Sequence, residues 1–323
     1  MALTRALLPL VVAAVVAGPL LGCADFESEE VVLDLRPLAA TAEPPEIFVI
    51  VADGSDLGLV VKVTADPSPS RVTWLVVNPK APAVPMNVSI EACLVTDDRR
   101  CDPEGTTLPL GTLTAPPGTF GVDFAPTAAQ LNTWLAEDAY RGFGGLYVML
   151  VARVEQAGFP PDRVAKLVTY NVPFVPRGEG QDPPPPKLPN QNPMLDAVRI
   201  GDVETTVDGE VVELAAGRRV ELEPLFDREA IEQTYPVVTF PTGAGEVPGY
   251  RVLTETFEIK FWVTEGLDVG ATELHSRSAL GDRTDFVTGI TAPVTPGSDA
   301  TLYAIIRDDR GGESFTTRII RAR

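Results

Sequence analysis

The chain has 323 residues, 45% hydrophobic and 22% charged, with 26 Lys+Arg against 45 Asp+Glu, a single His and a formal net charge of −19. That acidity repels nucleic-acid phosphate and anionic headgroups, so neither is an expected partner, and one His with three Cys and no C-x-x-C gives no basis for a zinc site. The length suffices for two domains, each with its own core.

Residues 1–22 carry one charge, Arg5, ahead of the apolar run "ALLPLVVAAVVAGPLLG", the charged-then-greasy layout of an export signal. Pro9, Gly18 and Pro19 interrupt a stretch already short for crossing a bilayer, which favours a signal over a membrane helix. The run ends on Leu20, Leu21, Gly22 and Cys23. This resembles the lipobox of bacterial lipoproteins, in which a small residue precedes a cysteine that is acylated on sulfur and becomes the new N-terminus. The resemblance implies residues 1–22 as signal, lipidation of Cys23, residues 23–34 as lipidated cysteine and tether, and a place in a bacterial cell envelope. The membrane would be the outer one where there are two, with the body facing periplasm or exterior. One acyl chain holds a protein marginally; two or three, at ~0.8 kcal/mol per buried methylene, hold it firmly. Removal of the signal leaves 301 residues with 25 Lys+Arg against 45 Asp+Glu, net −20.

From residue 35 the texture becomes brief apolar runs punctuated by Pro and Gly. Strands are expected at 47–51, 57–65, 71–77, 86–95, 145–154 and 165–172, all short and rich in Val, Ile, Tyr and Trp. "PTAAQLNTWLAEDAY" differs: Thr127 is a suitable N-cap, and Leu131, Trp134 and Leu135 fall at helical spacing. Cys93 and Cys101 flank "LVTDDRR", and in an oxidising compartment they are expected to bridge. Closing so short a loop contributes roughly 2.5 kcal/mol on the chain-entropy account.

Residues 176–193 hold "DPPPPKLPN", whose four consecutive prolines favour polyproline II and a semi-rigid spacer between domains 35–175 and 194–323; a P-x-x-P ligand for an SH3 domain is the sharper reading and is set below the spacer, because an exported bacterial protein rarely meets one. The second half repeats the β texture in "MLDAVRIG", "EVVELAAG", "RVELEPLF", "FEIKFWVTEG", "ATLYAIIRD" and "ESFTTRIIRA". The last two runs, joined by "DDRGG", read as a hairpin whose glycines supply the turn. Calcium would need six or more oxygens, and no D-x-D-x-D-G run supplies them, so the acidic turn is read as turn chemistry.

"LYVMLV" from Leu146 and "LYAIIR" from Leu302 each occupy the penultimate strand position of their half, and "VTWLV" around Trp74 and "IKFWV" around Trp262 lie upstream. This resembles the immunoglobulin-like sandwich, in which a tryptophan of strand C fills the core and a tyrosine opens strand F. Met149 and Ile305 stand where that family has its second cysteine, which implies fibronectin-like or PKD-like relatives without the inter-sheet disulfide. The expected fold class is therefore all-β, two immunoglobulin-like β-sandwich domains, the first with an inserted helix and a short disulfide loop. The Trp-to-Tyr interval of 73 residues in the first half against 41 in the second locates that insertion in domain one. Taken whole, the chain resembles bacterial surface lipoproteins with Ig-like domains.

Nothing catalytic comes with that resemblance. His275, the only candidate base for a serine triad, lies in the polar stretch "TELHSRSALGD", read as an exposed loop, with no G-x-S-x-G elbow. No cofactor is expected, and no Gly-rich loop sits between strand and helix to cradle phosphate. The expected role is a lipid-anchored structural, adhesive or partner-binding protein without catalytic activity, meeting an envelope protein or surface polysaccharide. Its candidate contact loop is Asp97, Asp98, Arg99, Arg100 and Asp102, stiffened by the disulfide. The alternative is a secreted hydrolase acting on polysaccharide or peptide through carboxylates at the domain interface.

Overall fold

The computed structural model describes residues 30–49, 62–95, 100–101, 105–138, 142, 144–171, 180–239, 249–278, 281–282 and 286–323. The first part runs β1 (Val31–Val32), β2 (Arg36–Glu43), β3 (Glu46–Phe48), β4 (Ser70–Val77), β5 (Met86–Leu94), β6 (Thr107–Ala115), β7 (Gly118–Phe124), α1 (Ala128–Glu137), β8 (Leu146–Gln156) and β9 (Asp162–Asn171). The second opens with β10 (Ala197–Ile200), β11 (Val203–Thr205), β12 (Glu210–Leu214), β13 (Arg219–Leu225), α2 (Arg228–Ile231), β14 (Thr234–Thr239) and β15 (Gly249–Thr254). It continues with β16 (Phe257–Thr264), β17 (Asp268–Val269), β18 (Glu273–His275), β19 (Arg277–Ser278), β20 (Gly281–Asp282), β21 (Thr288–Thr291), β22 (Asp299–Asp308) and β23 (Glu313–Ala322).

Two sandwiches result. In the first, a sheet β2-β4-β7 faces a sheet β3-β9-β8-β5-β6; in the second, β11-β10-β13-β21-β17 faces β16-β22-β23-β12, with β18 on the edge of β16. In both, an early strand crosses over to pair parallel with the last one, β3 with β9 and β12 with β23; β1 also pairs parallel, along β16 of the second sandwich, and the other neighbours run antiparallel. That strand order is immunoglobulin-like. The fold is all-β with α1 inserted between β7 and β8 and a disulfide loop after β5.

Alternation along the strands fills each core. Val72, Trp74 and Val76 of β4 point inward, where Trp74 stacks on Phe120 at 5.6 Å between centroids. Leu131, Trp134 and Leu135 of α1 close one side of the same core. The helix starts where expected: Thr127 accepts from the Gln130 backbone, Gln130 accepts in return from the Thr127 backbone, and Trp134 Nε1 donates to the Thr106 carbonyl at 3.0 Å. The second core gathers Phe257, Ile259, Phe261 and Val263 of β16 with Leu302, Ala304 and Ile306 of β22.

Several expectations change. Trp74 lies on β4, the second strand of the β2-β4-β7 sheet, and not on a strand equivalent to β16, so the 73- and 41-residue intervals do not compare like positions. Trp262 sits on the equivalent of strand C but faces out of the core, because strict alternation along β16 gives the core to Phe261. It packs instead with Tyr303, Ile305 and Phe315 against Leu38, Ala39, Leu75 and Val77 of the first sandwich. Tyr147 opens β8 yet stays largely exposed. His275 lies on β18, opposite Glu258 of β16, and not in a loop. Strands β2, β6, β7 and the hairpin β14–β15 are additional to the expected set, and most of the 57–65 segment lies outside the described residues. Val31–Val32, within the expected tether, pairs parallel with Val263 and Thr264 of the second sandwich.

Phe261→Ala empties the centre of the second core and is expected to cost about 3–5 kcal/mol of stability. Trp262→Ala is expected to cost clearly less, because its ring is half-buried between sandwiches. Urea denaturation compares the two, and equal losses would mean that both rings serve one core.

Candidate functional site

The densest polar chemistry among the described residues lies between the two sandwiches, around the β22–β23 turn "DDRGG" at 308–312. Asp308 closes the turn by accepting from the backbone of Arg310 at 2.9 Å and of Gly312 at 2.7 Å. Gly311 has φ 95°, a region costly for other residues, and a Cβ on Gly312 would lie 2.8 Å from the Gln191 carbonyl. The turn can therefore be drawn tight and pressed against the linker, and it drives the Arg310 side chain into the junction.

The Arg310 guanidinium, 6% exposed, satisfies its donors on four separate segments. Nη1 donates to Glu255 Oε1 and Gln233 Oε1, both at 3.0 Å; Nη2 donates to Glu46 and, at 2.8 Å, to the Leu188 carbonyl. Its plane lies over Tyr235, with Cζ 4.6 Å from the ring centroid. Glu46, on β3 of the first sandwich, also accepts from Asn171 and from the Asn190 backbone and pairs with Lys187 at 3.5 Å. A second group lies alongside. Lys166 of β9 donates to the Gly311 carbonyl at 2.8 Å and pairs with Glu313 at 3.5 Å, while Glu313 accepts from the Ala40 backbone at 3.0 Å and pairs with Arg307 at 3.2 Å.

Lys166, Lys187, Arg307 and Arg310 thus meet Glu46, Glu255, Asp308 and Glu313, so the buried charge cancels. Desolvation still marks the members. Burial lowers the Lys166 and Lys187 ammonium groups against the pull of Glu313 and Glu46, and raises Asp308 despite its backbone donors. Glu255, 2% exposed, is pushed up to about 7 by burial, with the Gln233 backbone and Arg310 opposing.

The residues singled out in the sequence fall elsewhere. Cys93 and Cys101 are joined, with Cα atoms 5.5 Å apart, and the bridge packs with Met149 and Val151 on the outer face of the β5–β8 sheet. Arg100 is exposed; Asp97, Asp98, Arg99, Asp102 and Cys23 lie outside the described residues. His275 has Glu258 and Glu273 each 3.9 Å from a ring nitrogen, on the exposed edge of β18. The junction was invisible in the sequence because its partners are far apart: Arg310 and Glu46 are separated by 264 positions. The one local signal was "DDRGG" itself, a turn with a long cation at its tip.

No family model matches the chain, and no curated protein matches it. Among solved structures, a red sea bream transglutaminase matches at 12% identity and a TM-score of 0.23, covering 90% of this chain and 32% of that one. Trypsin-activated alpha-2-macroglobulin from Escherichia coli matches at 12% and 0.24, covering 91% and 18%, and a Salmonella alpha-2-macroglobulin mutant at 10% and 0.24, covering 91% and 17%. The chain spans about a third or less of the length of these proteins. The fold assignment rests on strand order and register.

Arg310→Ala leaves Glu255 buried without a cation and Glu46 with Lys187 alone, and is expected to cost about 3–5 kcal/mol, read by urea denaturation. A loss under about 1 kcal/mol would mean the junction carries little of the stability. Because Glu255 titrates higher folded than unfolded, folding takes up a proton between its ordinary value of 4.5 and about 7, and stability falls as pH rises through that window. Glu255→Gln is expected to flatten that dependence between about pH 5 and about pH 8. An unchanged slope would locate the proton on another group.

Proposed function

We propose that the protein is a lipid-anchored component of a bacterial cell envelope, acylated on Cys23, with a structural, adhesive or partner-binding role and no catalytic activity. The observation that carries this reading is the apolar run ending in "LLGC" at 20–23. Among the described residues no helix is long and apolar enough to cross a membrane, and acyl chains on Cys23 would serve as the anchor in place of one. The body they would hold is acidic and built as two joined sandwiches.

The β1–β16 pairing gives the anchor a defined point of attachment. Seven residues, 24–30, separate Cys23 from Val31 and span at most about 25 Å when extended. Acyl chains on Cys23 would therefore hold the β16 edge near the membrane surface, with pull on the anchor entering through the second sandwich. The hydrolase reading gains nothing from the interface carboxylates: Glu46, Glu255 and Glu313 are engaged by Arg310, Lys187, Lys166, Arg307 and backbone amides, so their lone pairs hold the sandwiches together. The loop holding Asp97, Asp98, Arg99, Arg100 and Asp102 remains a candidate contact surface, constrained by its disulfide.

Intact-mass analysis of the membrane-extracted protein is expected to show a chain starting at Cys23 with diacylglycerol on sulfur and an acyl group on the amine. Cys23→Ala is expected to abolish both and to release the chain from the membrane or leave the leader attached. A mature chain beginning elsewhere without lipid would overturn the anchoring.

A further inference from the structure

Residues 181–190 contribute no strand or helix, yet their burial repeats every three positions. Gln181, Pro184 and Lys187 are half-buried and Asn190 is buried, while Asp182, Pro183, Pro185, Pro186, Leu188 and Pro189 are exposed. A polyproline II helix turns once in three residues and rises ~3.1 Å per residue, so this is the trace of one such helix about 28 Å long with a single edge laid on the protein. The expected spacer is a strap.

The inward edge is fixed at both ends. Gln181 Nε2 donates to the Tyr250 carbonyl at 3.1 Å and its Oε1 accepts from the Tyr250 amide at 3.3 Å; the Tyr250 hydroxyl donates to the carbonyls of Asp182 and Pro183 at 2.9 and 3.3 Å. At the other end Lys187 pairs with Glu46, the Leu188 carbonyl accepts from Arg310, and Asn190 donates to Glu46 and Asp308. What faces solvent is two parallel ridges: Pro183, Pro186 and Pro189 on one, Asp182, Pro185 and Leu188 on the other, with Leu188 56% exposed.

Proline rings on a three-residue repeat leave notches that flat aromatic side chains fill, and a polyproline II backbone makes no internal hydrogen bonds, so the carbonyls that the protein does not itself engage are open acceptors. A free proline-rich linker must still be ordered when it is bound. Here both ends are held by the protein, so that cost is met on folding and a partner meets a formed ligand. We propose that the outward face of residues 182–189 is a docking ligand for a partner protein whose groove is walled by parallel Tyr or Trp side chains. A cationic rim on that groove would meet Asp182 and suit the acidic body. The inference deepens the partner-binding reading above and rests on it, but not on the lipid.

The test places a photo-crosslinking phenylalanine analogue, one position at a time, at outward Pro185, outward Leu188 or inward Pro184 of the full chain, in the cells that make it. Joined peptides are then sequenced by mass spectrometry. Adducts from 185 and 188 to one protein, on a peptide carrying at least two Tyr or Trp residues and not formed from 184, are the expected result. Joint replacement Pro183→Ala, Pro186→Ala and Pro189→Ala is expected to lower the yield from 188 at least about fivefold in protein that stays folded at the assay temperature, its melting temperature falling only because the unfolded chain gains freedom. No adduct from 185 and 188 in folded protein, adducts only to lipid, glycan or another copy of this chain, or adducts to a peptide without aromatic residues would overturn the proposal. Intact mass measured on the same sample separates the two readings: lipidated protein without the adduct removes the docking face alone, and unlipidated protein with the adduct removes the anchor alone.

Discussion

A guanidinium that leaves water must find its compensation in the protein, and Arg310 finds it only if two sandwiches, the linker and the β14–β15 hairpin are all in place at once. Removing an ion from water costs several kcal/mol, a deficit recovered only with good geometry and every donor engaged. Glu46 comes from the first sandwich, Glu255 and Gln233 from the base of the hairpin, and the Leu188 carbonyl from the linker. None of these can shift far without stranding charge. The apolar cluster of Leu38, Leu75, Val77, Tyr303 and Ile305 beside it supplies non-directional attraction, and the ionic group selects a single relative orientation.

That division explains what could be read from the chain and what could not. The penultimate strand "LYAIIR" was legible as a strand from its unbroken apolar run, since even positions fill the second core and odd ones fill the interface. Which face met which partner was not legible, because a run apolar on both sides carries no phase. Trp262 is a different case: Glu258 and Lys260 share its phase on β16, so alternation alone gives the core to Phe261, and the likeness to a strand C tryptophan pointed the other way. Strand β2, "RPLAATAE", was passed over because small alanines and Pro37 give little strand signal; it exists because β4 pairs along its edge while the first core takes Ala40 and Ala42 and the second sandwich covers Leu38 and Ala39. Helix α1 and the Cys93–Cys101 bridge were readable because each is local: a capping box with helical spacing, and two thiols eight positions apart.

The linker shows how a local reading can miss a role. Four prolines do announce an extended rod, and the three-residue burial period agrees with one. Its function as a strap depends on Gln181, Lys187 and Asn190, polar residues whose partners, Tyr250, Glu46 and Asp308, lie 69, 141 and 118 positions away. With strand β1 stitched to β16 and the strap crossing the junction, the chain passes between the two sandwiches more than once. A protein built this way presents a fixed surface to its surroundings.

The central claim is that the two sandwiches move as one body because Arg310 and its partners bind them. Nitrogen-15 relaxation on residues 24–323, which include neither the apolar run nor Cys23, measures this most directly, through the rotational diffusion of amides in each sandwich. A single diffusion tensor fitting residues 70–171 and 197–322 together, splitting into two in the Arg310→Ala protein, is the result the account predicts. Two independent and shorter correlation times in the unaltered protein would contradict it.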